Sequence, residues 1–142
     1  MNENEIGKII IGCAIGLHKE LGPGLLETVY EVVLAKRLSD RGLRVQRQEA
    51  VPIECDGIQF EAGFRADLIV EDKVIIELKS VERLTKVHYK QVLTYLRLTD
   101  KRLGYLLNFG RPMMKTGISR IINGTIESSH GDHLDHDGDD SP

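Results

Sequence analysis

The chain has 142 residues, about the size of one domain, and its 41% hydrophobic and 29% charged residues are ordinary for a soluble globular protein. No apolar stretch approaches the roughly 18–20 residues that a membrane helix needs, and the acidic N-terminus is unlike a signal peptide, so we expect a cytoplasmic protein. Of the 22 acidic residues, six lie in residues 127–142, which leaves 16 against 19 basic residues in residues 1–126, a net charge of +3. This mildly basic body permits nucleic-acid binding without requiring it.

Two helices open the chain. Residues 3–21 carry apolar side chains at helical spacing, with Asn2 or Asn4 as the cap, and a second helix runs from about residue 25 to residue 41. Three consecutive residues, Ile9–Ile11, point nearly all round the first helix, so we expect it to be covered on more than one side. A homodimer through this helix is one way to cover it.

The hydrophobic pattern then changes to alternation, with Asp56-Gly57 as a strong hairpin signal. The predicted strands cover residues 43–47, 51–55, 58–62, 64–70, 74–78, 104–109 and 119–122. A third helix is predicted over residues 83–98. Residues 74–78 form an apolar, β-branched run, which is typical of a central strand that is buried on both faces. The order of elements therefore predicts an α/β sandwich with a mixed sheet.

The last residues differ from the body in composition. Residues 127–142 hold a single aliphatic side chain, Leu134, which predicts a disordered tail rich in acids and histidines and leaves residues 1–126 as one domain. Cys13 and Cys55 fall in a predicted helix and a predicted strand, and we expect them to be reduced core residues.

Three charged residues on two neighbouring strands indicate a site. If Glu71–Lys73 is a three-residue loop, the register of the strands sets Asp67 opposite Glu77, and Lys79 leaves the same face of its strand as Glu77. A two-residue turn would shift the register by one and weaken this arrangement. The three side chains are therefore expected together only if the loop has three residues.

Opposed carboxylates destabilise a sheet unless a proton or a cation bridges them. Because Mg²⁺ (or Mn²⁺) takes one or two carboxylates together with water and phosphate oxygens, Asp67 and Glu77 indicate a metal site for a phosphodiester substrate. Lys79 would orient the attacking water or stabilise the developing negative charge. The alternative is that Glu77 and Lys79 lie beyond the core and form a surface ion pair.

The sequence pattern around these residues also resembles that of a known family. Asp67, then Glu77-Leu78-Lys79, resembles the pattern of the PD-(D/E)xK nuclease superfamily, and Gly24–Tyr30 is similar to the signature of its small bacterial GxxExxY proteins. Supporting blocks are residues 66–70, 76–80, 88–96 and 104–110, and the resemblance spans roughly residues 5–123. Ala66 stands where the superfamily usually has a proline that shapes the backbone.

The resemblance implies a restriction-endonuclease-like αβββαβ core, with a mixed central sheet flanked by helices. It implies that Asp67 and Glu77 are metal ligands and that Lys79 is the catalytic lysine. Glu27 resembles the extra acidic metal ligand that many members supply from an N-terminal helix. Gln91 resembles a glutamine that some members carry on the helix after this strand.

From the residues alone, other polar side chains have simpler interpretations. His88, Gln91 and Tyr95 share one face of the third helix, where packing and a solvated edge explain them. Tyr30 is interpreted as a core-edge residue whose hydroxyl bonds a neighbour. Asn108 ends an apolar strand, from which it could face the same site.

Two functions follow as hypotheses. The first is a Mg²⁺-dependent nuclease or phosphodiesterase that acts on nucleic acid, with DNA favoured over RNA. The second is a catalytically silent binding or interaction module with a nuclease fold, in a DNA-repair or defence complex. The low positive charge and the small body favour the second, because residues 1–126 leave little room for a separate DNA-recognition element.

Overall fold

The computed structural model describes residues 1–126, which form a five-stranded sheet with helices on both faces. The helices are α1 (Glu3–Leu21), α2 (Glu27–Asp40) and α3 (Lys86–Thr99), and the strands are β1 (Val45–Cys55), β2 (Ile58–Val70), β3 (Val74–Lys79), β4 (Leu103–Asn108) and β5 (Ile118–Ile122). The strand order is β1-β2-β3-β4-β5, with β3 and β4 parallel and the other pairs antiparallel. Helix α3 makes the crossover that a parallel pair requires. The predicted mixed α/β fold is confirmed.

The start of α1 follows from its sequence. The Asn2 side chain accepts a hydrogen bond from the Glu5 N–H at 2.8 Å, and the Glu5 carboxylate accepts one from the Asn2 N–H at 2.8 Å, which makes a capping box. Ile10 is fully buried, and Ile9 and Ile11 pack against the same core cluster. All three isoleucines therefore have partners within one chain, and a homodimer through this helix stays a prediction.

The sheet separates two apolar layers. Val74, Ile76 and Leu78 of β3 face the cluster formed with α1 and α2, whereas Ile75 faces the cluster formed with α3. Both faces of β3 are thus covered, which explains its uninterrupted apolar run. By the same alternation, Glu77 emerges on the face that α3 covers.

The first half of the sheet differs from the expectation. The short strands predicted over residues 43–55 form one strand, because the positive φ of Gln48 (51°) and a register shift after Val51 bend β1 without ending its pairing with β2. The hairpin at Asp56-Gly57 is confirmed, with φ of 54° and 75° as a tight turn requires. Both cysteines are free, but the interpretation of Cys55 as a core residue is wrong, because it is exposed beside this turn.

Gly110, just after β4, lies against the chain that follows β3. A Cβ at Gly110 would lie 2.6 Å from the Val81 nitrogen and 2.7 Å from its carbonyl carbon. Because backbone atoms cannot move aside as a flexible side chain does, Gly110→Ala is expected to lower the free energy of unfolding by about 1–3 kcal/mol. Urea denaturation measures this loss.

The matched control is Gly12→Ala in α1, where a Cβ would meet nothing within 4 Å. It should raise the free energy of unfolding by about 0.5–1 kcal/mol, because alanine restricts the unfolded chain and favours the helix. Equal stability of the two variants would show that the approach of Gly110 to Val81 is not tight.

Two further sequence predictions concern the tail and the absence of a membrane helix. The predicted disordered tail, residues 127–142, lies outside the described residues, so the domain boundary near residue 126 stays a prediction. Within residues 1–126, no helix is both long enough and apolar enough to cross a membrane.

Candidate active site

The candidate site lies where β2 and β3 separate. Their turn, Glu71–Lys73, has three residues, and the first pair after it is Val70 with Val74. Continued along both strands, this register sets Asp67 opposite Glu77. The predicted register is therefore confirmed, and the arrangement with a two-residue turn is excluded.

Two hydrogen bonds cross between the strands at this point. The Asp67 N–H donates to Glu77 Oε2 at 2.9 Å, and the Leu78 N–H donates to Asp67 Oδ2 at 2.9 Å. Each carboxylate thus accepts a backbone N–H of the other strand, where a carbonyl oxygen would stand in a regular ladder. One oxygen of each side chain is fixed in this way. The Oε1 atom of Glu77 makes no hydrogen bond with any described residue.

Burial and charge together change the protonation of Glu77. Its side chain is 5% exposed, and burial is the main cause that raises its pKa, from 4.5 to about 8, with the nearby Asp67 as the second cause. The hydrogen bond from Asp67 and the charge of Lys79 act in the opposite direction. Near neutral pH, the pair therefore favours a proton or a cation beside it.

Lys79 supplies positive charge on the same face. Its side chain is half-buried, and it forms no hydrogen bond or ion pair with a residue in the described part of the chain. Its charge nevertheless lowers the pKa of Glu77 and that of His88. The alternative of a surface ion pair does not hold, because Glu77 is buried and Lys79 is not within 4 Å of it as an ion pair.

Sequence reasoning missed Gln48, which bonds Asp67, and Glu31, which bonds Gln48. Gln48 is skipped in the pairing of β1 with β2, and its Nε2 donates to Asp67 Oδ1 at 3.1 Å and to Glu31 Oε1 at 2.8 Å. Glu31, on α2, is 5% exposed and forms an ion pair with Arg47 at 2.9 Å. The available signal was Glu31 one helical turn after Glu27, on a helix packed against the sheet.

Glu27, the predicted third metal ligand, has a different partner. It is exposed, and its Oε2 accepts the Ser80 N–H at 3.2 Å, while Ser80 Oγ donates to the Leu25 carbonyl at 2.8 Å. These bonds join the start of α2 to the end of β3. Within residues 1–126, no three Asp, Glu, His or Cys side chains are grouped closely enough to hold a metal. The role of Glu27 as a ligand stays a prediction.

Tyr30 fixes the connection between α1 and α2. Its hydroxyl donates to the Gly22 carbonyl at 2.6 Å and accepts the Leu25 N–H at 3.1 Å, and its ring stacks on Phe109 at 4.3 Å. The structural interpretation of Tyr30 is therefore confirmed.

Helix α3 turns one polar face to the site. Burial and then the charges of Glu77 and Asp67 raise the pKa of Tyr95. Its ring stacks on Phe64 with centroids 3.8 Å apart. Gln91 lies one turn before Tyr95, is exposed, and makes no hydrogen bond with a residue of the described chain.

The donor atoms suit a hard divalent cation. Asp67 and Glu77 offer carboxylate oxygens from neighbouring strands, and one oxygen of each is already oriented by a backbone N–H. Burial, and then the charge of Asp67, raise the pKa of Glu77, and a bound cation would favour its charged form. Two protein carboxylates leave room for water and phosphate oxygens, which is the way Mg²⁺ is usually bound.

Comparison with models of protein families identifies a relationship that covers most of the chain. A family model described as the PD-(D/E)XK nuclease superfamily matches residues 4–121, a range that includes Glu27, Asp67, Glu77, Lys79 and Gln91. No curated protein and no solved structure matches the chain.

Proposed function

This chain belongs to the PD-(D/E)XK nuclease superfamily, and from that premise we propose that it hydrolyses phosphodiester bonds of nucleic acid with Mg²⁺ (or Mn²⁺). Nucleases of this superfamily generally use divalent metal ions. The observation that carries the proposal is the pair of the half-buried Asp67 and the buried Glu77 where β2 and β3 separate, with the ammonium of Lys79 on the same face. DNA, in preference to RNA, is the expected substrate.

Each residue of the site has a separate proposed role. Asp67 and Glu77 would hold the metal ion, which when bound neutralises charge on the phosphate and makes a water more acidic. Lys79 donates hydrogen bonds to the phosphate oxygen that gains negative charge, and its buried surroundings strengthen that interaction. Gln91 orients the phosphate from α3, and Glu27 is the proposed additional acid.

The stack of Phe64 on Tyr95 gives the site a wall on its α3 side. Both rings are half-buried, and burial, followed by the charges of Glu77 and Asp67, raises the pKa of Tyr95. Aromatic rings on this side would limit the access of water to the carboxylates, which would strengthen their attraction for a cation.

Calorimetric titration with Mg²⁺ and Mn²⁺ tests the metal site. Wild type is expected to bind, and the Asp67→Asn/Glu77→Gln variant should bind at least about tenfold more weakly, because both ligands lose their charge. The amides keep the oxygens that accept the crossing N–H bonds, so the fold should be preserved. The matched control is Asp56→Asn/Glu61→Gln, which removes two exposed carboxylates from the hairpin and should bind like wild type.

Cleavage assays on single-stranded and duplex DNA and RNA complete this test. Metal binding that depends on Asp67 and Glu77, together with cleavage of at least one substrate, supports the proposal. If wild type binds no metal, with or without an oligonucleotide, the nuclease proposal fails and the silent interaction module replaces it.

A further inference from the structure

A polar cavity lies one strand away from Lys79. Its volume is about 180 Å³, and its lining includes the two arginines Arg83 and Arg111, the amide of Asn108, and the hydroxyl side chains of Thr116 and Ser119. Among residues 1–126, no acidic side chain lines it. It is smaller than the roughly 300–1,000 Å³ of pockets that enclose drug-sized ligands, so it suits a group of the size of a phosphate.

Asn108, which lines this cavity, carries a buried hydrogen-bond donor in need of an acceptor. Its side chain is 1% exposed, and Oδ1 accepts the N–H groups of Val81 and Gly110, each at 3.0 Å. These two bonds fix the orientation of the amide, since a reversed amide would set donor against donor. Its Nδ2 then has no partner among the described residues. Such a buried group is usually satisfied by a ligand or a water.

Arg83 and Arg111 add positive charge that is not compensated by an ion pair within residues 1–126. Neither Arg83 nor Arg111 has a side-chain hydrogen bond or an ion pair with any residue between 1 and 126. Guanidinium groups bind phosphate oxygens through paired N–H donors, and such charge-assisted bonds are stronger than neutral ones. The guanidinium groups and the amide of Asn108 are hydrogen-bond donors without acceptors among residues 1–126, and the two arginines are positively charged. These are the groups that bind a phosphate.

The position of the cavity connects it to the candidate site. Asn108 pairs with Lys79 in the parallel ladder of β3 and β4, so the two residues leave the same face of the sheet on strands about 4.8 Å apart. One nucleic-acid strand carries a phosphate per about 3.4 Å of helix axis. A strand with its scissile phosphate at Lys79 therefore has a neighbouring phosphate within reach of this cavity.

We propose that the cavity of Arg83, Asn108 and Arg111 binds a non-scissile phosphate of the substrate strand, next to the phosphate that is cleaved. For the identity of its ligand, this inference rests on the proposed function. The cavity itself can be tested without metal and without cleavage, because inorganic phosphate carries the same chemistry.

The first test is titration of metal-free, full-length protein with inorganic phosphate, followed by NMR at the side-chain amide of Asn108. We expect a saturable shift, with about tenfold weaker binding in each of Arg83→Gln and Arg111→Gln, the loss expected for one hydrogen bond to a charged group. Asn108→Asp keeps the oxygen that accepts from Val81 and Gly110 but replaces the free donor with a negative oxygen, and it should abolish binding. Arg97→Gln, at an exposed arginine of α3 outside the cavity, should leave binding unchanged.

A shift that does not saturate, or arginine variants that bind phosphate like Arg97→Gln, would show a cavity filled by water alone and would overturn the proposal. This failure is distinguishable from failure of the nuclease, which is read from cleavage and from metal binding at Asp67 and Glu77.

The second test determines whether the cavity binds a phosphate of a nucleic-acid strand. Affinity for a single-stranded oligonucleotide is measured over a series of salt concentrations, with a chelator present. Loss of one phosphate contact in Arg83→Gln should reduce the slope of log affinity against log salt by about 0.7. A slope equal to that of wild type and Arg97→Gln would overturn the assignment to a substrate strand.

Discussion

Lys79→Met is expected to lower the rate of phosphodiester cleavage by about 10²–10³-fold, the loss typical when one group that stabilises transition-state charge is removed. Methionine keeps much of the length of the side chain and removes only the ammonium. Because Lys79 has no hydrogen bond or ion pair within the described chain, the fold should not depend on this charge. Single-turnover cleavage at saturating metal measures the effect.

The control for this loss is Lys90→Met, which removes the same charge from an exposed position on α3. Lys90→Met should lower the cleavage rate only as far as the loss of one positive charge weakens the binding of nucleic acid. If Lys79→Met cleaves within a few-fold of Lys90→Met, Lys79 takes no part in the chemistry. Unchanged metal binding in Lys79→Met would locate the loss in the reaction rather than in the carboxylate pair.

The metal-free protein is expected to lose stability as the pH rises, and Glu77→Gln should remove most of that loss. The folded state raises the pKa of Glu77 to about 8 from 4.5, so it holds this proton more tightly than the unfolded chain does. The resulting stabilisation is complete below about pH 4.5 and declines as the pH approaches 8, at up to about 1.4 kcal/mol per pH unit. Glutamine does not titrate, and its oxygen can still accept the Asp67 N–H.

Urea denaturation between pH 5 and pH 9, with a chelator present, measures this dependence. The Glu77→Gln variant should be more stable than wild type at pH 8, whereas Glu61→Gln, at an exposed residue of the hairpin, should follow wild type. Added Mg²⁺ should restore stability at pH 8 in wild type and in Glu61→Gln but not in Glu77→Gln, because binding to the folded state stabilises it. Parallel curves for wild type and Glu77→Gln would contradict the raised pKa.

The main part of the site could be predicted because it depends on local rules. The apolar run of β3 indicated a central strand, and the three-residue turn set the register that brings Asp67 opposite Glu77. The period of two then sets Lys79 on the same face as Glu77. These steps need only the strand period and the length of one turn.

The supporting contacts could not be predicted, because they join residues that are far apart in the sequence. Gln48 adopts a positive φ that nothing in its local sequence indicates, since glutamine has no special preference for that conformation. Glu31 is buried only because α2 lies over the end of β1. The free donor of Asn108 exists because the chain after β3 passes beside β4. Each of these depends on the tertiary packing.

The crossed hydrogen bonds of Asp67 and Glu77 also restrict how this chain can lose its chemistry by evolutionary drift. A change of either residue to alanine would leave a backbone N–H without an acceptor where the sheet opens, so it would loosen the fold as well as abolish the site. A change to asparagine or glutamine removes the charge and keeps the acceptor. Inactive descendants of this protein should therefore carry amides at these positions. In experiments, alanine substitutions would not distinguish loss of chemistry from loss of structure.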